Sequence, residues 1–140
     1  KSDAGKFINK EIKEINKKNI DEFKNIEISI KNEEEKLLKQ KNILKEEEFN
    51  NKVTLLREKY KSYQELQVKK NKDLVKLREN SSKEILKVIN IILTDYSKKN
   101  EVTLILDKKS IVIGKTQLDV TEEILSLLNN KIKKVELLNE

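Results

Sequence analysis

The chain has 140 residues, 40% of them charged and 36% hydrophobic, with a net charge of +6, two glycines, and no proline, cysteine or histidine. That length suits one domain, or one small body with an extension, and the Lys/Glu/Leu/Ile-rich mixture suits long helices rather than a compact globule. Disulfides and thiolate metal sites are excluded, and the commonest acid/base group and metal ligand is missing.

From the N-terminus, Ser2 or Asp3 is placed to cap a first helix, with Gly5 tolerated in its opening turn. Apolar residues then recur at Ile8, Ile12, Ile15, Ile20, Phe23, Ile26, Ile30, Leu37 and Leu44. Steps of three and four are the spacing of a narrow coiled-coil seam and too regular for a disordered chain. Asn19 and Glu33 fall where that seam wants apolar groups, which predicts looser packing there. A break is expected near 41–46, although neither glycine nor proline marks it. Glu46, Glu47 and Glu48 suit the first turn of a second helix, at its positive dipole end.

The second seam runs Phe49, Val53, Leu56, Tyr60, Tyr63, Leu66, then after a phase shift Leu74, Leu77, Ile85, Val88 and Ile92. Pairing residues whose numbers sum to about 91 gives an antiparallel hairpin, with Leu37 near Val53 and Ile30 near Tyr60. The alternative is one continuous rod. Ion pairs at i,i+4 recur in the favourable order: Glu14–Lys18, Glu27–Lys31, Glu35–Lys39, Glu48–Lys52, Glu65–Lys69 and Glu79–Lys83. Lys98 and Lys99 suit the helix end, with Asn100 as the residue that tolerates a left-handed conformation.

The only strand-like stretch follows. Val102–Leu106 and Ser110–Ile113 are rich in β-branched residues, and Asp107-Lys108-Lys109 between them reads as a reversal. Apolar residues on both faces predict that these strands need neighbours from other chains, since a lone two-stranded hairpin is marginal in water. Residues 114–118 read as a loop. Either Asp119, in a capping box with Glu122, or Thr121 opens a last helix, whose Ile124, Leu125, Leu127, Leu128 and Ile132 form an apolar side. Fraying is expected beyond Val135. The predicted class is α+β, mostly α: a helical-hairpin arm over 1–99 with its tip near 41–46, and a small β-body with a C-terminal helix over 100–140, both parts of one domain.

With these elements in place, the chain resembles the Skp/OmpH family of periplasmic chaperones. Ser2-Asp3-Ala4-Gly5-Lys6 resembles the small-residue start of that family's first long helix. Val102–Asp107 with Ile111–Ile113 resembles its strand pair, and Leu118-Asp119-Val120-Thr121-Glu122-Glu123-Ile124 the opening of its last helix. The family has a β-strand before its first helix, and Lys1 falls just after the place where that strand ends. Membership implies a periplasmic homotrimer whose arms enclose a cavity, and a holdase that keeps unfolded outer-membrane proteins soluble without ATP. The implied oligomer body is Val102, Leu104, Ile105, Leu106, Ile111, Val112 and Ile113. Candidate client-facing residues on the arms are Phe23, Ile26, Ile30, Leu37, Phe49, Val53, Tyr60 and Tyr63.

Residues 1–100 carry +7 and residues 101–140 carry −1, so the helical region holds the whole positive excess. This allows an anionic partner, with anionic lipid or lipopolysaccharide open as a further one. Nucleic acid is not expected, because the basic residues are interleaved with acids and the aromatic residues sit mostly on seams. A structural stalk is the main alternative to a chaperone, and it has no use for two strands and a capped helix after the coil. Nothing gathers the carboxylates into a pocket, and there is no Gly-rich phosphate loop, so neither an enzyme nor a cofactor or metal site is expected. No run approaches the ~18 apolar residues of a membrane span, and no signal-peptide pattern opens the given sequence.

Overall fold

The computed structural model describes residues 1–133; the stretch beyond Val135, where fraying was expected, lies outside them. Helix α1 is Asp3–Gln40 and helix α2 is Glu46–Lys99. A single 3-10 turn at Lys108–Ser110 and another at Thr116–Leu118 lead to helix α3, Thr121–Lys131. These elements form two compact units, Lys13–Val75 and Lys1–Ile12 with the chain from Lys76 onward.

In the first unit the two helices run as an antiparallel hairpin. Leu37 and Tyr63 are buried on the seam, and Phe23, Ile26, Ile30, Val53, Leu56 and Leu74 are half-buried along it. Asn19 is also buried, at 5% exposure. A polar group on a seam restricts which registers are acceptable, at some expense in stability. The reversal uses no left-handed residue. The Ile43 and Leu44 amides both donate to the Gln40 carbonyl, and the Phe49 amide returns to Lys45 to start α2.

In the second unit Ser2 caps α1, its Oγ accepting from the Gly5 amide at 3.1 Å. Ala4, Ile8, Ile12, Leu77, Ile92 and Leu128 form its buried apolar core. Three polar contacts tie its segments together. The Asp3 amide donates to Asn129 Oδ1 at 2.9 Å, Tyr96 Oη donates to Glu123 Oε2 at 2.7 Å, and Lys108 Nζ meets Asp119 Oδ2 at 2.5 Å. The Lys108 ammonium, helped by the Thr121 amide, holds the Asp119 carboxyl far below the usual carboxylate range. Asp119 does not cap α3 in the expected manner. The N-cap is Val120, without a side-chain bond, and Asp119 Oδ1 accepts from the Thr121 amide at 3.1 Å.

The expected β-body is absent: among the described residues there is no strand and no sheet, so the α+β assignment is corrected to all-α. The turn explains why. Two-residue β-hairpins favour turns with left-handed residues, which match the twist of the flanking strands. Here Asp107 Oδ1 accepts from the Lys109 amide, and the Ser110 and Ile111 amides bond back to Asp107 and Lys108, a right-handed 3-10 turn. Such a turn splays the segments on either side. Val102–Leu106 and Ser110–Ile113 therefore run unpaired.

The end of α2 also differs from expectation. The left-handed residue is Glu101, with φ of 55°, and not Asn100. The Val102 amide reaches the Ser97 carbonyl at 3.0 Å, the long bond of a Schellman motif, which places Glu101 where glycine is usual.

Two stability outcomes are expected at fixed protein concentration. Glu101→Gly relieves the left-handed strain, a gain of about 1 kcal/mol. Ser81, on α2, is 2% exposed and its Oγ has no hydrogen-bond partner. Ser81→Ala removes this unsatisfied hydroxyl and is expected to stabilise by about 1–2 kcal/mol. Denaturant unfolding measures both, and a loss of stability in either variant contradicts the corresponding assignment.

Candidate functional site

The hairpin unit is zipped along one edge by polar contacts between α1 and α2. Glu22 pairs with Lys70 at 3.1 Å, Lys59 reaches Ser29 Oγ at 3.0 Å and Glu33 at 2.5 Å, and Lys52 donates to Gln40 Oε1 at 3.0 Å. The numbers in Glu22–Lys70, Glu33–Lys59 and Gln40–Lys52 each add to 92, close to the register expected from the seams. Glu22, Ser29, Glu33 and Gln40 are seven, four and seven residues apart, so they occupy one side of α1. A groove of about 400 Å³ lies on this edge, lined among others by Glu33, Lys36, Gln40, Lys52, Leu55 and Lys59. The Glu33 carboxyl is held below its usual range, first by the hydrogen bond from Lys59.

These cross-hairpin partners were not anticipated, because i,i+4 spacing was the only pairing visible along one helix. Three of the charges that spacing matched are engaged elsewhere. Lys52 reaches Gln40, Glu65 meets Lys61 at 3.9 Å, and Glu27 accepts from Tyr63. The signal that could have found them is the seam register itself, which brings Glu33 opposite Lys59.

Tyr63 is the polar centre of the seam. It is buried, its Oη donates to a Glu27 carboxylate oxygen, and Gln67 Nε2 donates to that Oη at 2.6 Å. Phe23 meets its ring edge-on, at 6.1 Å and 77°, and Tyr60 lies 6.4 Å away.

Of the residues expected to face a client, Leu37 and Tyr63 are therefore buried in the hairpin. Phe23, Ile26, Ile30, Phe49 and Val53 are half-buried in it, and Tyr60 alone is more than half exposed, at 51%. Exposed apolar side chains of this unit that the seam reading did not single out include Ile28, Leu38, Leu55, Val68 and Val75. In the other unit, the residues expected to build an oligomer body divide. Val102 and Ile105 are half-buried, whereas Leu104, Leu106, Ile111, Val112 and Ile113 are exposed, Val112 and Ile113 by more than nine-tenths. Beside them is an open, mainly apolar groove of about 630 Å³, lined by Ile89, Leu93, Leu106, Ile124 and the Asp107–Lys109 turn with Thr121.

A long antiparallel helical hairpin followed by an irregular apolar segment and a short closing helix defines a helical-arm protein. The family model for "Outer membrane protein (OmpH-like)" matches residues 1–128, and the chain belongs to that family. Among solved structures, the chain is similar to that of a candidate OmpH-like outer membrane chaperone from Caulobacter crescentus CB15. The TM-score is 0.92 at 16% identity, over 99% of this chain and 82% of that one. The search of curated proteins gave no match.

The Tyr63 hydrogen bond has a measurable signature. Donation to Glu27, then burial, pushes the phenol up to about 12 from its ordinary 10.0. The neutral form is thus favoured by folding, so its contribution is complete below pH 10 and falls as pH rises from 10 to about 12. In a phenolate absorbance titration of the folded protein, one tyrosine is expected to ionise at about 12, and Tyr63→Phe should remove that step. Retention of the step in the variant contradicts the assignment.

Proposed function

We propose that this protein is a holdase chaperone: it binds unfolded outer-membrane proteins and keeps them soluble without nucleotide, acting in the periplasm as a homotrimer whose arms surround the client. The observation that carries the reading is family membership over residues 1–128, joined to an apolar segment that one chain leaves uncovered. The Caulobacter structure, described as that of a candidate outer membrane chaperone, supports the same reading. Val112 and Ile113 are almost fully exposed, and burying such residues against other copies favours association by about 25 cal/mol per Å² of apolar surface. Segment 102–113 is accordingly the oligomer contact, formed without a β-sheet in the single chain. The positive excess of residues 1–100 steers acidic clients towards the arms over long range.

The test is light scattering after dilution of a urea-unfolded outer-membrane β-barrel protein into buffer lacking ATP. The chain is expected to suppress aggregation, and undiminished aggregation by the intact oligomer favours a structural stalk instead. A second measurement concerns the assembly. Native mass should be three times the chain mass of 16.5 kDa. Val112→Asp combined with Ile113→Asp should reduce it to that of one chain, with helix content retained. A native mass unchanged by the double substitution removes 102–113 from the interface.

A further inference from the structure

We propose that the client-binding surface of each arm is the unzipped edge of the hairpin, opposite the ion pairs, and that its occupant is an extended acidic polypeptide with apolar residues recurring along one side. The proposal rests on the holdase reading above and names the surface that performs it.

The two edges of the Lys13–Val75 unit differ in kind. The ion pairs across the hairpin, with the Lys59–Ser29 and Lys52–Gln40 bonds, fall on Glu22, Ser29, Glu33 and Gln40 of α1 and on Lys52, Lys59 and Lys70 of α2, while the seam's Tyr63 reaches Glu27 towards the other edge. At about 100° per residue, Ile20 and Leu38 lie roughly 160° around α1 from Glu22, and Val68 lies about 180° around α2 from Lys59. In an antiparallel pair these rows come to the same edge, and Val75 and Tyr60 join them from α2. All five are more than half exposed: Tyr60 51%, Ile20 55%, Val75 57%, Leu38 63% and Val68 69%. They lie outside the buried seam, and Tyr60 flanks it through its ring contact with Tyr63.

The charges between them carry a basic excess. By the same count Lys13, Lys17, Lys24, Lys31, Arg57, Lys61 and Lys72 lie on this edge and are exposed, against the carboxylates of Glu27, Glu34, Glu35 and Glu46. Glu27 is already engaged by Tyr63. Apposing two copies through this edge would bring like charges together, which disfavours a second copy. Single apolar residues between cations make a poor in-plane membrane helix, which needs a broad apolar face. One tyrosine is no stacking ladder for nucleic-acid bases.

Charge selects the remaining partner, since an acidic chain complements the basic excess of this edge. Tyr60, Val68 and Val75 are eight and seven residues apart, or about 12 Å and 10 Å along α2. An extended chain rises about 3.3 Å per residue and so covers three to four residues between successive apolar contacts. Each contact is weak, and affinity comes from their number.

The experiment uses the full chain and a fluorescently labelled, urea-unfolded acidic β-barrel polypeptide, with binding followed by anisotropy. Combining Ile20→Ser, Leu38→Ser, Val68→Ser and Val75→Ser is expected to weaken binding about tenfold, whereas Ile28→Ser with Leu55→Ser changes it less than about twofold. Neutralising Lys24, Lys31, Arg57 and Lys72 to Gln should flatten the salt dependence of the association rate, a readout independent of the apolar set. If the unaltered chain binds but the two serine sets respond equally, or the glutamine variant keeps its salt dependence, this surface is wrong and the holdase reading stands. Failure of the unaltered chain to bind overturns both. Tighter binding of anionic vesicles or single-stranded DNA, lost with the same four serines, overturns the polypeptide as occupant.

Discussion

Register between α1 and α2 governs everything else in the hairpin unit. Each helix leaves a narrow apolar seam to be covered, with charged groups and single apolar residues over the remainder. Pairing solves this only if Leu37 and Tyr63 reach the seam together, and the edge contacts at Glu22, Ser29, Glu33 and Gln40 hold that alignment. Sliding one helix by a turn would separate Glu33 from Lys59 and remove Glu27 from Tyr63. The seam supplies the attraction, and the polar edge selects one alignment from several that the apolar pattern alone accepts. Asn19 acts in the same sense, since a buried amide tolerates few neighbours.

Much of this was legible in the sequence because helical periodicity is a local signal. Apolar spacing located the two seams, and their best superposition came within one unit of the sum shared by Glu22–Lys70, Glu33–Lys59 and Gln40–Lys52. Exposure was less legible. Membership of an apolar row says that a residue can face another surface, but not whether the partner is its own hairpin or something outside. Phe23 and Val53 went to the first, whereas Tyr60, read on the same rows, is more than half exposed.

Failures of local reading cluster after α2. The β-branched residues of Val102–Leu106 satisfy strand propensity, yet propensity cannot supply a ladder partner or a turn of the correct hand. Asp107 decides the geometry by drawing the Lys109 amide to its carboxylate. At Glu101 the backbone adopts a conformation that composition argues against, with Asn100 available one residue earlier. The helix ends where its last carbonyls find donors, and Val102 reaching Ser97 outweighed the side-chain preference. In both places hydrogen bonding to the backbone overrode single-residue tendencies, from the Asp107 side chain in one and from the Val102 amide in the other.

The division of the hairpin into a seam, a zipped edge and an open edge has an evolutionary consequence. Open-edge positions such as Leu38 and Val68 can mutate without disturbing the pairing of the helices, whereas Glu27 and Tyr60 are held back by their contacts with Tyr63. Seam positions can also exchange one aliphatic group for another, provided volume and spacing are kept. A fold written in spacing therefore tolerates wide divergence of letters, while its outer row drifts towards whatever it meets. Selection can retune the surface of such an arm one residue at a time, and its architecture need not change.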